Sequence, residues 1–242
     1  MSLAASDICV QGRLGNVSTS LESGQITAIC GPNGAGKSTL MSCLAGLMVP
    51  DVGSVSLHGE ALLTLDPQKR AQMIGYLPQA GEVAWNVAVR NLVALGRLPH
   101  KDRGEHAIEA ALEAVHLTQF ADRPISTLSG GEKARALLAR VFAGEPDWVL
   151  ADEPLAALDF YHQHEVLASL HASAKLGKGV VLVLHDLALA MNHADRVLIL
   201  KEGRLIADGP PEMALDEANI IQAWGVAARW VGEPGARALV TG

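Results

Sequence analysis

The run GPNGAGKST, Gly31 to Thr39, puts a lysine and two hydroxyls at the end of a glycine-bearing loop, a combination suited to phosphate. Glycines let successive backbone N–H groups turn toward one centre, and the positive end of a following helix adds to them. With G-x-x-x-x-G-K-[ST] complete, Gly31, Pro32, Asn33, Gly34, Ala35 and Gly36 form the cradle. Lys37 is placed to reach the β and γ phosphates of a nucleotide, Ser38 to ligate Mg²⁺ and Thr39 to contact the α phosphate. The plain alternative, a glycine-rich turn with no ligand, does not account for the apolar run before it or the helix-compatible TLMSCLAGL behind it.

WVLADEP adds a pair of carboxylates, Asp152 and Glu153, at the end of a second apolar run. Alone, such a pair is a solvated strand end or a helix cap. Beside a phosphate loop it gains a use, since Asp152 can hold Mg²⁺ through water and Glu153 can polarise an attacking water. His185 closes the run VVLVL, Gln79 ends YLPQ and Asp159 ends AALD; in isolation none of the three indicates chemistry.

STLSGGEKARALLAR, Ser126 to Arg140, reads as a helix start. Ser129 followed by Glu132 is a capping box, and Ala134, Leu137, Leu138, Val141 and Phe142 at helical spacing predict one apolar face. The cap does not explain Gly130 and Gly131 in the first turn, where each glycine costs about 1 kcal/mol relative to alanine. Bare backbone at a helix N-terminus lets an anion approach, so a second phosphate contact is expected here.

Positioning these groups requires strands. QITAIC (25–30), WVLA (148–151) and VVLVL (180–184) are short continuous apolar runs of the kind buried on both faces of a parallel sheet. RVLIL (196–200) is followed by a turn at Glu202-Gly203 into another strand. Between Trp85 and Gly144 the texture turns helical, as at Ile108, Leu112 and Val115. The expected fold is α/β: a P-loop NTPase core with a mainly parallel sheet and N-terminal β elements, formed by 1–81 and 146–242, with an inserted helical subdomain at 82–145. A chain of 242 residues with 49% hydrophobic content can bury such a core. Its formal charge of −7, with both signs scattered, offers no basic face for nucleic acid. Cys9, Cys30 and Cys43 lack metal-ligand spacing and read as small buried apolar residues in a reducing compartment. No apolar run is long enough to span a bilayer, so work at a membrane would need another chain to cross it.

In this order, the motifs resemble the ATP-binding cassette family, the nucleotide-binding subunits of ABC transporters, over about residues 24–230. LSGGE, Leu128 to Glu132, matches that family's signature. The resemblance implies that ATP and Mg²⁺ are used and that two copies pack head to tail, so that Ser129, Gly130 and Gly131 contact the ATP held by the partner copy. It makes Gln79 a sensor of Mg²⁺ and the γ phosphate, His185 a γ-phosphate contact that helps Glu153 hold water, and Asp159 a residue of the dimer interface. It implies two transmembrane permease subunits, docked near Gln79 to Val89, a substrate-binding protein, and a peripheral place on the cytoplasmic face of the inner or plasma membrane.

The chain departs from the family at Leu155 and Ala156, and in having no Phe, Tyr or Trp within residues 1–30 to stack on adenine. Arg13 is a substitute able to pack on the base, which implies weak discrimination between ATP and GTP. NLVALGRLPH (91–100) and the tail GPPEMALDEANIIQAWGV resemble the ATPases of importers for ferric siderophores, haem and cobalamin; RLGNVSTSLESGQI is most like the cobalamin group. An exporter cassette or a soluble regulatory ATPase is the alternative. The stretch Gly81–Ser126 is too short for the coiled-coil insertion of a repair ATPase.

Overall fold

The computed structural model describes residues 1–79, 86–156 and 158–242. A hairpin of β1 (Ser2–Val10) and β2 (Leu14–Glu22) is followed by β3 (Ile26–Cys30), which leads through the glycine loop into α1 (Lys37–Leu44). Then come β4 (Val52–Leu57), β5 (Glu60–Ala61), α2 (Pro67–Met73) and β6 (Ile74–Leu77), and after them the helices α3 (Val89–Ala94), α4 (Glu105–Ala114) and α5 (Gly130–Ala143). The chain continues through β7 (Trp148–Asp152), α6 (Phe160–Lys175), β8 (Gly179–Val183), α7 (Leu187–His193), β9 (Arg196–Lys201) and β10 (Arg204–Gly209). It closes with α8 (Pro211–Ala214), α9 (Glu217–Trp224) and the hairpin β11 (Ala228–Val231) and β12 (Ala238–Thr241).

The main sheet has the order β10-β9-β3-β8-β7-β6, parallel from β9 to β6 with β10 antiparallel at the edge. Every residue of β3, β7 and β8 is buried, as continuous apolar runs predict for strands covered on both faces. Successive side chains alternate between two layers. Ala28, Cys30, Val149, Ala151, Val180 and Leu182 face α3 to α7, while Ile29, Leu150, Val181 and Val183 face α1 and the antiparallel sheet β2-β1-β4-β5. Leu40 and Leu44 of α1, both fully buried in this second layer, each contribute about 1.5–3 kcal/mol of burial. They hold the helix that starts at the phosphate loop.

Ile108, Leu112 and Val115 are buried in one cluster with the helix-facing side of the sheet. α5 differs from the expected single stripe. Arg135, Ala136, Leu137, Leu138 and Ala139 are buried in succession, while Ala134 is half-buried. The reason is that α3, α4 and β6 all pack around this helix, and Arg135 is accommodated by donating to the Val115 carbonyl at 2.9 Å. The cysteines are all free thiols. Cys30 and Cys43 are buried as expected, but Cys9 is only half-buried and its Sγ accepts from the Asn16 N–H at 3.2 Å. Burial pushes the Cys30 thiol up to about 12, opposed by the Lys37 charge and reinforced by Asp186.

Candidate functional site

The loop between β3 and α1 is held from three sides. Lys37 folds back to donate Nζ to the carbonyls of Gly31 at 2.8 Å and Pro32 at 3.0 Å. The Ala35 carbonyl accepts the Gly203 N–H at 3.1 Å, and the Gly203 carbonyl accepts the Gly15 N–H at 2.8 Å, which ties the loop to both sheets. Gly36 caps α1 at φ 99°, and a Cβ there would lie 2.6 Å from Leu14 Cδ2 and 2.8 Å from the Arg13 carbonyl. Only glycine meets both demands. The first turn of α1 carries no acidic side chain, so its N–H groups remain available to an anion.

This loop forms one wall of a cavity of about 790 Å³ that also includes Arg13, Gln79, Glu153 and His185. A volume of this size suits a nucleotide-sized ligand. Sheet order explains the opposite wall. β6, β7 and β8 are consecutive neighbours, and Gln79, Glu153 and His185 follow their C-terminal ends, where ligands bind in parallel sheets. Glu153 Oε2 accepts the Gln79 amide at 2.7 Å, and Oε1 pairs with His185 Nε2. The Glu153 backbone sits at φ 54°, in the left-handed region. A non-glycine residue held there carries strain that the surrounding sheet must sustain.

Asp152, the last residue of β7, is 3% exposed, and its Oδ1 has no hydrogen-bond partner. Burial raises its pKa, the Ser38 hydroxyl lowers it, and the Glu153 charge raises it further. A buried unpaired carboxylate oxygen beside a serine hydroxyl is a fitting donor set for a hard divalent cation such as Mg²⁺. Lys37 is lowered chiefly by burial, with the charges of Glu153, Cys30 and Asp152 opposing. Among the described residues no group of three or more His, Cys, Asp and Glu is arranged to hold a metal ion by itself.

Ser129, Gly130, Gly131 and Asp159 do not join this constellation, since none of them lines the cavity. Ser129 caps α5 in a complete capping box: its Oγ accepts the Glu132 N–H at 3.2 Å, and the Glu132 carboxylate accepts the Ser129 N–H at 2.7 Å. That backbone hydrogen bond holds the Glu132 pKa below the usual range. The two glycines differ. A Cβ on Gly130 would meet open space, whereas one on Gly131 would collide with the His162 ring. The bare backbone at Gly131 therefore has a packing reason within the chain, whereas Gly130 faces open space. Asp159 caps α6 by accepting the His162 N–H at 2.9 Å and pairs with His162 Nδ1 at 2.7 Å. His162 had no sequence signal beyond its spacing from Asp159.

The LGRLPH stretch is engaged inside the fold. Arg97 is buried, donates to both oxygens of Asp102 and to Glu145, and reaches the Ala143 carbonyl at 2.9 Å. The Pro99 carbonyl accepts Gln68 at 2.6 Å and Gln72 at 2.9 Å from α2. Of the permease-docking segment 79–89 expected from the sequence, 80–85 lie outside the described residues.

The model of the ABC transporter family matches residues 14–156, from the start of β2 to just past the acid pair. The chain belongs to the ABC transporter family. As a member it is an ATP-hydrolysing, transport-coupled enzyme. It is 44% identical over 207 residues to the haemin import ATP-binding protein HmuV of Nocardia farcinica, covering 84% of this chain and 72% of that one. A metal-chelate-type ABC transporter solved in an inward-facing conformation superposes with a TM-score of 0.85 at 25% identity, over 99% of this chain and 97% of that one. A bacterial ABC transporter cassette solved as a dimer gives 0.77 at 26% identity, over 86% and 98%. Among the described residues of this cassette, no helix is long and apolar enough to cross a membrane.

Proposed function

We propose that this ABC cassette powers import of a metal chelate, working as a head-to-tail dimer on the cytoplasmic face of a membrane with two permease subunits and a substrate-binding protein. The observation that carries the reading is Glu153 held between Gln79 and His185 opposite the phosphate loop, in a chain whose curated relative is a haemin import protein. Haem accordingly stands ahead of cobalamin and ferric siderophore as cargo. Only the short stretch RLGNVSTSLESGQI is most like the cobalamin group, and similarity to a haemin import protein over 207 residues outweighs it.

In this mechanism Lys37 exchanges its loop carbonyls for the β and γ phosphates of ATP, and the backbone N–H groups of residues 33–39 surround them. Ser38, Asp152 and Gln79 would hold Mg²⁺, which neutralises charge on the phosphate oxygens. Glu153, kept in orientation by Gln79 and His185, takes the proton from the attacking water. Ser129, Gly130 and Gly131 of one copy approach the γ phosphate held by the other, with Asp159 at the same interface. Loss of phosphate removes the charge that joins the copies. The division into a core of 1–81 and 146–242 and a lobe of 82–145 belongs to the same proposal, the lobe transmitting closure to the permease.

The test is an affinity capture of the tagged chain from native membranes in mild detergent. Co-recovery of a many-spanning membrane protein, together with a haem-binding extracytoplasmic protein, supports the reading. Recovery of soluble partners alone would sink the importer.

A further inference from the structure

α6 and α7 start at the edge of the main sheet that holds the phosphate loop and run back to begin β8 and β9 at the opposite edge. His171 lies in the C-terminal half of α6 and His193 ends α7, so their rings meet away from the nucleotide cavity, which neither lines. The ring centroids are 5.7 Å apart, with the planes inclined at 56°. His58, His100, His116, His162 and His185 each have a carboxylate or carbonyl partner, whereas among the described residues His171 and His193 have none. Both rings are half-buried and so remain within reach of solvent.

We infer that His171 and His193 form a two-imidazole site for a divalent transition-metal ion, with Zn²⁺ the fitting occupant. A Zn–N bond of about 2.1 Å places the ion roughly 3.2 Å from the centre of each imidazole it binds. Two rings sharing one tetrahedral ion then have centroids roughly 5.2 Å apart, and a somewhat wider N–Zn–N angle gives the 5.7 Å found here. His193 stands in the last turn of α7, where the carbonyl end of the helix favours positive charge. Burial lowers its pKa, and the charges of His171 and His164 lower it further, so at neutral pH the ring is neutral and has a lone pair to give. Imidazole nitrogens suit zinc and its neighbours in the first transition row. The remaining positions fall to water, because no group of three or more ligating side chains gathers among the described residues. An ion held here ties α6, which follows Asp159, to α7, which follows His185, and stiffens the frame behind both.

The experiment uses the full chain with any affinity tag removed, stripped of metal by a chelator and titrated with Zn²⁺ in a calorimeter. The parent is expected to take up one ion; His171→Ala and His193→Ala should each weaken its binding about tenfold or more, while His106→Ala on α4 should leave it unchanged. Thermal midpoints should agree in metal-free buffer, and Zn²⁺ should raise that of the parent but of neither ligand variant. Electron paramagnetic resonance of the unsubstituted chain with one equivalent of Cu²⁺ reads the ligands without any substitution, and coupling to two imidazole nitrogens is expected. The site is overturned if the parent takes up no Zn²⁺, or if the double variant binds it as tightly as the parent. A copper spectrum showing fewer than two imidazole nitrogens would overturn it as well.

Discussion

Gly131 packs against the imidazole of His162 so closely that a Cβ on the glycine would lie 2.6 Å from Cδ2 of the ring. Its neighbour Gly130 faces open space. Gly131→Ala should therefore lower folding stability by about 1–3 kcal/mol through overpacking. Gly130→Ala should leave the fold intact or firm it by up to about 1 kcal/mol, since alanine is the better helix former. ATP hydrolysis should nevertheless fall in Gly130→Ala if the partner's phosphate approaches there. Thermal unfolding paired with ATPase assays separates the two, and a reversed stability order would contradict the His162 contact.

Glu153→Gln should abolish turnover, with a loss of about 10²–10⁴-fold, while ATP binding persists. His185→Ala should also lose turnover, because it removes one of the two side chains bonded to the Glu153 carboxylate. Steady-state hydrolysis beside equilibrium binding of ATP checks both. Loss of binding in Glu153→Gln would mean that the carboxylate holds nucleotide rather than water.

Asp152 gives a pH dependence with a defined sign. Its pKa is raised in the native state, chiefly by burial, so the stabilisation it brings is complete below its unfolded value and disappears as pH rises through the native one. Above its native pKa the nucleotide-free protein carries a buried charge at a cost. Asp152→Asn should unfold about 2–4 °C higher than the parent for each kcal/mol relieved, and the gap should close on acidification. Added Mg²⁺ with ATP should stabilise the parent far more than the variant. A variant less stable at every pH would show that Asp152 is a structural anchor.

Arg13 lines the nucleotide cavity, and its backbone carbonyl is fixed by close approach to Gly36 and Gly203. With no aromatic ring in residues 1–30, a guanidinium able to pack on any base is expected to discriminate poorly. In the Glu153→Gln background, ATP and GTP affinities should differ by less than about tenfold, and Arg13→Ala should weaken both by a similar factor, since base stacking is worth about 1–3 kcal/mol. A strong preference for ATP would point to a base-reading group elsewhere.

The parts of the site legible in the sequence are those formed locally. The phosphate loop lies between a buried strand and its helix, the acid pair ends a strand, and the cap at Ser129 needs only Glu132, so spacing alone reveals them. The grouping of Gln79, Glu153 and His185 depends on β6, β7 and β8 lying side by side, which no short stretch encodes. The His162 contact with Gly131 joins the first turns of two helices with β7 between them, and the burial of Arg135 reflects how tightly α5 is surrounded. LGRLPH shows the converse: legible as a motif, it is occupied by internal bonds from Arg97 and to Pro99.

The position of β3 has a consequence for synthesis. The strand that carries the phosphate loop pairs with β8 and β9 and with no earlier strand in its own sheet. On the ribosome it waits unpaired until both have emerged, and the Gly203 N–H that fastens Ala35 arrives later still. A nascent chain halted before β8 will retain no ATP even though its whole glycine loop has been translated, and the exposed apolar β3 makes that interval the time when aggregation threatens most.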